Sequence, residues 1–257
     1  MNRAFIGIPS TLILIFLLLP IIVIIPISFS SAQYLTFPPP GYSLQWYRRL
    51  LDRPEWGRAL WVSFRVASLA TLASMTLGTL SAFALVRGRF SGKTALYAAI
   101  LAPMTLPSVI IGLGCYFLFA RLNLAGTVWA LALGHTVIIL PVVVIILSAT
   151  LQNFDERLEQ AAIILGASPL VAFRRVTLPL ISSGVISAAL FSFLLSFDDL
   201  VLSLFLADPS SVTLPIQIWN HTVMKIEPTI AAVSSCLIGV AVIIGLLSRI
   251  CGAAWSR

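Results

Sequence analysis

From Leu12 to Phe29 the chain runs for 18 residues without a charge, and that stretch constrains the fold more than any other. A helix needs about 20 apolar residues, rising about 1.5 Å each, to cross a hydrocarbon layer roughly 30 Å thick. Further apolar runs follow along the chain. Hydrophobic residues make up 59% of the sequence, and the 16 basic and 9 acidic residues together make only 10%. A soluble domain carries about 25% charged residues, so the composition excludes that class and predicts an all-α integral membrane protein. Arg3 ahead of an apolar stretch imitates a signal peptide. The stretch is too long and lacks a small-residue cleavage site, so Met1 to Ser30 reads as an uncleaved first span.

Apolar runs between polar breaks predict six spans in a single transmembrane domain over 1–257, near 11–30, 59–86, 96–120, 127–151, 180–206 and 230–250. That leaves no room for a soluble catalytic domain. With six spans both termini share a side. One side collects nine Lys and Arg residues (Arg3, Arg87, Arg89, Lys93, Arg157, Arg174, Arg175, Arg249 and Arg257) against seven on the other (Arg48, Arg49, Arg53, Arg58, Arg65, Arg121 and Lys225). The tight turn Arg87 to Lys93 decides the orientation, since short loops weigh most in the positive-inside rule. Both termini and the long polar insert 152–179 are therefore expected to be cytoplasmic. Pro20, Pro26, Pro103, Pro107 and Pro141 fall inside spans, where each removes a backbone hydrogen bond and favours a kink. No internal repeat of the kind seen in many secondary transporters appears.

The net charge of +7 reflects basic loops at lipid head groups, and nucleic acid binding is not expected. Cys115, Cys236 and Cys251 lie in apolar runs and read as small buried hydrophobes. His135 and His221 are far apart, with no metal-ligand spacing. No GxSxG, HExxH or phosphate-binding glycine loop occurs. No catalytic residue, cofactor or metal is expected on this chain.

The insert carries the most information. Its first half predicts a short amphipathic helix capped by Asn153 or Asp155, with acids in the opening turn where the helix dipole favours them. Gly166 ends that helix by a turn needing a positive backbone angle, and Pro169 suits the start of a second short helix toward Phe173. Helix connections typically take about 2 to 8 residues. A 28-residue insert, 152–179, therefore implies a partner.

This stretch resembles the signature of ABC importer permeases, the membrane subunits that dock onto ATP-binding cassette subunits through a cytoplasmic loop. The family pattern is Glu-Ala-Ala, three residues, Gly, nine residues, Ile, one residue, Leu-Pro. The chain supplies Ala161, Ala162, Gly166, Val176 in the isoleucine place, Leu178 and Pro179. It departs at the glutamate place, which holds Gln160 with Glu159 beside it. Trp46 and Tyr47, the ArgGlyArgPhe turn at 87–90, SerPheAspAsp at 196–199 and LeuProIleGlnIle at 214–218 also look like the second permease of spermidine and putrescine importers. The resemblance implies a type I importer permease fold in a bacterial inner membrane. It also implies a homologous second permease, an ATPase dimer that carries the ATP and Mg, and a periplasmic solute-binding protein. Its solute would be a polyamine, or an amino-acid-like compound as in other relatives. The ATPase-coupling residues would be Glu159, Gln160, Ala161, Ala162, Gly166, Ala167, Ser168 and Pro179. An ATP-independent secondary transporter is the less favoured alternative, because it would need its own ion relay and no docking insert.

Asp198 and Asp199 stand out within the fifth span, since acids there are costly and face a cavity or a partner. Adjacent helical positions point about 100° apart, so at most one faces a substrate pathway squarely. Either an aspartate attracts the solute's ammonium group, or one caps a broken helix or pairs with an arginine of the partner permease. Arg65 is expected to snorkel to head groups, and His135 reads as a hydrogen-bonded packing residue ahead of a proton carrier. Trp46, Tyr47, Trp56, Trp61 and Trp219 are expected as interfacial anchors, with Trp46 and Trp219 also placed to touch a docked binding protein.

Overall fold

The computed structural model describes residues 3–224 and 227–255. Met1, Asn2, Lys225 and Arg257 lie outside the described residues, as do the side chains of Arg3, Arg249 and Cys251, so those parts of the charge and cysteine readings have no structural counterpart. Among the described residues there are only helices, turns and two isolated β-bridges. In chain order the helices are α1 (Arg3–Ser28), α2 (Gln45–Asp52), α3 (Pro54–Arg87), α4 (Lys93–Thr105), α5 (Ser108–Arg121), α6 (Val128–Gln152) and α7 (Glu156–Ile164). After α7 come α8 (Pro169–Ala172), a π-helical turn (Phe173–Thr177), α9 (Leu178–Leu180), α10 (Ser182–Phe197), α11 (Val201–Leu206), α12 (Leu214–Met224) and α13 (Thr229–Trp255). Three stretches, Pro9–Ser28, Pro54–Arg87 and Val128–Gln152, are long and apolar enough to cross a membrane. Two bent pairs bring the number to as many as five, and Thr229–Ile243 is a shorter apolar helix.

The chain divides into two compact units, residues 58–216 and residues 1–57 with 217–257. In the larger unit α6 is the central helix. It is apolar on every face, as a buried helix is, and Ile139, Val143, Leu147 and Leu151 pack with Ala70, Ala82, Ile181 and Ala188. Toward its other end Ala130 and Leu131 join Val66, Ile111, Phe119, Leu202 and Leu206. Between membrane helices lipid offers no hydrophobic gradient, so close backbone approach through small residues holds the bundle. At Gly184 on α10 any Cβ would overlap the Thr150 side chain of α6.

Two expected spans differ from continuous helices. The stretch 96–120 is α4 and α5, bent by 107°. Leu106 precedes Pro107 and is extended, with φ −96° and ψ 142°, because the proline ring disfavours helical geometry in the residue before it. The stretch 180–206 is α10 followed by α11, interrupted at 198–200, and the segment Pro169–Leu180 meets α10 at 70°. Pro141, by contrast, lies within an unbroken α6.

In the smaller unit α1 packs against α13, and α13 against α2. Leu12 to Leu19 on α1 are all exposed, Phe16 at 75%, so this part of the helix is apolar and open on every side, which suits contact with acyl chains. Trp46 is fully buried, not an interfacial anchor, and its indole N–H donates to the Ser30 carbonyl at 2.7 Å. The Arg49 guanidinium covers the same ring at 4.5 Å. Trp56 is also buried, its ring tilted against that of His221 with centroids 4.8 Å apart. Trp46 leaves the expected belt because the Ser30 carbonyl satisfies its N–H, Trp56 is buried with no hydrogen-bond partner for its indole N–H among the described residues, and Trp219 here and Trp61 in the larger unit remain exposed. Cys115 is half-buried and Cys236 exposed, so the latter is not the buried hydrophobe expected.

Candidate coupling site and substrate pathway

Asp155, not Asn153, caps α7: its carboxylate accepts from the Arg157 N–H at 3.0 Å. Asn153 instead closes α6, donating from Nδ2 to the Ala149 carbonyl at 2.9 Å. At the other end of α7, the Gly166 N–H reaches the Ile163 carbonyl at 2.9 Å and the Ala167 N–H the Ala162 carbonyl at 3.0 Å. Gly166 has φ +97°, a region in which side-chain-bearing residues are strained. The chain then re-enters a helix with Pro169 in the first turn. Helix, sharp turn and helix thus stand as the spacing predicts.

Of the residues expected to meet an ATPase, Gln160, Ala161, Gly166, Ser168 and Pro179 are exposed, while Ala162 and Ala167 are partly buried. Apolar neighbours point outward with them, Ile164 at 84% and Leu165 at 88% exposed. Glu159 turns inward. Its Oε2 lies 2.8 Å from Arg87 Nη2 at the end of α3 and accepts a hydrogen bond from the Thr177 hydroxyl at 2.7 Å. Glu156 reaches the same guanidinium at 3.5 Å. Partial burial raises the Glu159 pKa, but the hydrogen bonds from Arg87 and Thr177 and the arginine's charge outweigh it and hold the carboxyl below the ordinary range. The glutamate place of the motif therefore faces out as an uncharged Gln160, and the neighbouring charge is satisfied within the chain.

Both aspartates lie in the break at 198–200, outside either helix, and their side chains part there. Asp198 caps the C-terminus of α10 and is exposed. Asp199 turns inward, and its Oδ2 accepts from the Ser203 N–H at 3.2 Å and lies 3.6 Å from His135 Nε2. This satisfies a backbone donor freed where the helix breaks, which a hydrocarbon setting demands. His135 is fully buried, with Nδ1 2.8 Å from Ser196 Oγ and Nε2 3.2 Å from Ser203 Oγ. It packs as a hydrogen-bonded core residue. Among the described residues no group of three potential ligands could hold a metal ion.

Arg87, Thr177, Ser196 and Ser203 were not legible as site residues. In sequence Arg87 stands out only through the positive-inside count and the family-like turn at 87–90, neither of which names a partner, and Thr177 and Ser196 pair with residues remote in the chain.

Residues 74–254 match the family model of the binding-protein-dependent transport system inner membrane component. The chain is 35% identical over 243 residues to the putrescine transport system permease protein of Escherichia coli K12, covering 91% of this chain and 85% of that protein. To the spermidine/putrescine transport system permease protein of Haemophilus influenzae it is 31% identical over 235 residues, covering 91% of each. Its fold matches a solved structure, a bacterial ABC transporter involved in the import of the acidic polysaccharide alginate, with a TM-score of 0.74 over 97% of this chain and 98% of that one, at 17% identity.

Proposed function

The chain belongs to the binding-protein-dependent transport system inner membrane component family, and from that premise we propose that it is a permease subunit of an ATP-driven importer for a polyamine such as putrescine or spermidine. The observation that carries the substrate is identity of 31–35% over nine-tenths of the chain to permeases named for putrescine and spermidine. The fuller assembly would comprise a homologous second permease, an ATP-binding cassette dimer and a periplasmic solute-binding protein. ATP and Mg would sit on the ATPase, and this chain would contribute no catalytic group. Both termini and the insert would lie on the cytoplasmic side of the inner membrane.

In this reading the loop is a lever. ATP closes the ATPase pair, and the short helix carrying Gln160, Ala161 and Ala162 follows the groove that holds it. Because α7 is joined to α6 in front and to α10 behind, its displacement tilts both helices, a rigid-body motion about packed interfaces. Exposed apolar side chains at Ile164 and Leu165 are what a loop that buries itself against a protein partner would present. On the pathway, Asp198 is the exposed aspartate and the one suited to attract an ammonium group.

Co-purification tests the assembly. Affinity-tagged permease extracted in mild detergent is expected to bring down an ATP-binding cassette subunit and a second permease in defined ratio. Recovery of the chain alone, under conditions that keep it folded, would count against the reading.

A further inference from the structure

We propose that Arg87 is a positioning residue for ATP coupling: through the Glu159 carboxylate it fastens α7 to the end of α3, so that movement of the loop is passed to α3 as well as to the two helices joined to it by the chain. The inference rests on the permease reading above.

Three elements meet at one carboxylate oxygen. Glu159 belongs to α7, Arg87 to the last turn of α3 and Thr177 to the π-helical turn, and both contacts to Oε2 are short, 2.8 and 2.7 Å. Neither α4, α5 nor α6 intervenes, although all three separate α3 from α7 in the sequence. The chain alone therefore gives the loop no short connection to α3, and the ion pair supplies one.

The setting makes this more than a surface contact. Exposed ion pairs contribute little, because water screens them and two long side chains must be held still. Here the Arg87 side chain is 25% exposed and that of Glu159 16%. The guanidinium lies 5.1 Å from the Phe83 ring centre and 5.7 Å from that of Phe154, on α3 and on the segment leading into α7. Phe173 of the π-helical turn packs edge-on against Phe83 at 5.6 Å. Aromatic faces attract a cation and exclude water from it, so the same three elements are joined by apolar and ionic contacts together. Glu156 at 3.5 Å adds a second carboxylate to the fork. Arginine suits this place because its planar fork can serve two carboxylates and a ring face at once, which a lysine ammonium cannot. The π-helical turn adds a further hint, since such turns concentrate at functional sites, and here it presents Thr177 to the carboxylate.

A rigid link of this kind predicts loss of coupling, not loss of hydrolysis, when it is cut. The test uses the full complex in proteoliposomes, scoring putrescine taken up per ATP hydrolysed for each assembled complex. Arg87→Gln and Glu159→Gln are each expected to lower that ratio roughly tenfold, the scale of one charge-assisted hydrogen bond, while ATP hydrolysis continues. The double variant is expected to be no worse than either single one, and the reversed pair, Arg87→Glu with Glu159→Arg, to recover part of the loss. Arg87→Lys should fall between wild type and Arg87→Gln. A wild-type ratio in both single variants, additive losses in the double variant, or failure of every variant to assemble would overturn the proposal. A wild-type complex without ATP-driven uptake would instead overturn the permease reading on which it rests.

Discussion

Replacing Gly166 by valine is expected to leave the chain inserted and the importer assembled while cutting ATP-driven uptake by roughly tenfold or more. No atom lies within 4 Å of where a Cβ would stand at this position, so the effect is not a clash. It comes from the backbone. A φ of +97° costs an L-residue of order 1–3 kcal/mol, and a β-branched side chain sits at the upper end. The turn escapes that cost by moving to negative φ, which breaks the bonds from Gly166 to Ile163 and from Ala167 to Ala162 and re-aims α7 relative to α8. Since 1.4 kcal/mol is about a factor of ten, a penalty in this range suffices to disturb the transmission of movement through the loop in an assembled complex. Gly166→Ala should give a milder loss. The measurement is uptake by reconstituted complex, with assembly checked by co-purification; normal uptake in a normally assembled Gly166→Val complex would sink the idea.

The second large effect is at the aspartate pair. Asp198→Asn is expected to lower uptake of a cationic solute about tenfold at low concentration, through loss of a charge worth up to about 4 kcal/mol near an ammonium group at a protein–water boundary. Asp199→Asn should behave differently. The amide oxygen can still accept from the Ser203 N–H, so uptake is retained and thermal stability falls by about 1 kcal/mol, the scale of one weakened hydrogen bond. Uptake kinetics across putrescine concentrations, with melting curves for both variants, separate the two. Unchanged uptake in both variants would remove the pair from the pathway.

The fold is legible in the sequence where the determining physics is local. The uncharged run at Leu12 to Phe29 identified a membrane helix because crossing hydrocarbon is a matter of length and apolarity alone. The coupling loop was legible for a similar reason: Asp155 caps, Gly166 turns and Pro169 restarts through their own backbone and side-chain chemistry. Direction and contact were not legible. Pro107 marks a kink and the aspartate pair allows a broken helix, but hydropathy is blind to how far an apolar run turns, so the 107° size of the bend and the place of the break between α10 and α11 are visible only in three dimensions. The same limit hid the burial of Trp46, which an aromatic-belt rule assigns by depth without regard to the Ser30 carbonyl that holds it. Spacing along the chain also cannot pair Glu159 with Arg87, and the family resemblance assigns Glu159 to the ATPase surface, whereas it turns inward to the guanidinium. For Asp198 and Asp199 the expectation that at most one faces a pathway rests on a continuous helix, whereas the pair lies in the break at 198–200, and Ser203 and His135 mark Asp199 as the inward one.

ATP-dependent accumulation of labelled putrescine by proteoliposomes tests the central claim most directly. The liposomes would contain this permease, its second permease, the ATPase pair and the solute-binding protein, with ATP enclosed on the side of the loop 152–179. The account predicts uptake that requires both ATP and the binding protein and that falls sharply when Gly166 is valine. Uptake indifferent to ATP, or a complete and intact complex that moves no polyamine, would contradict it.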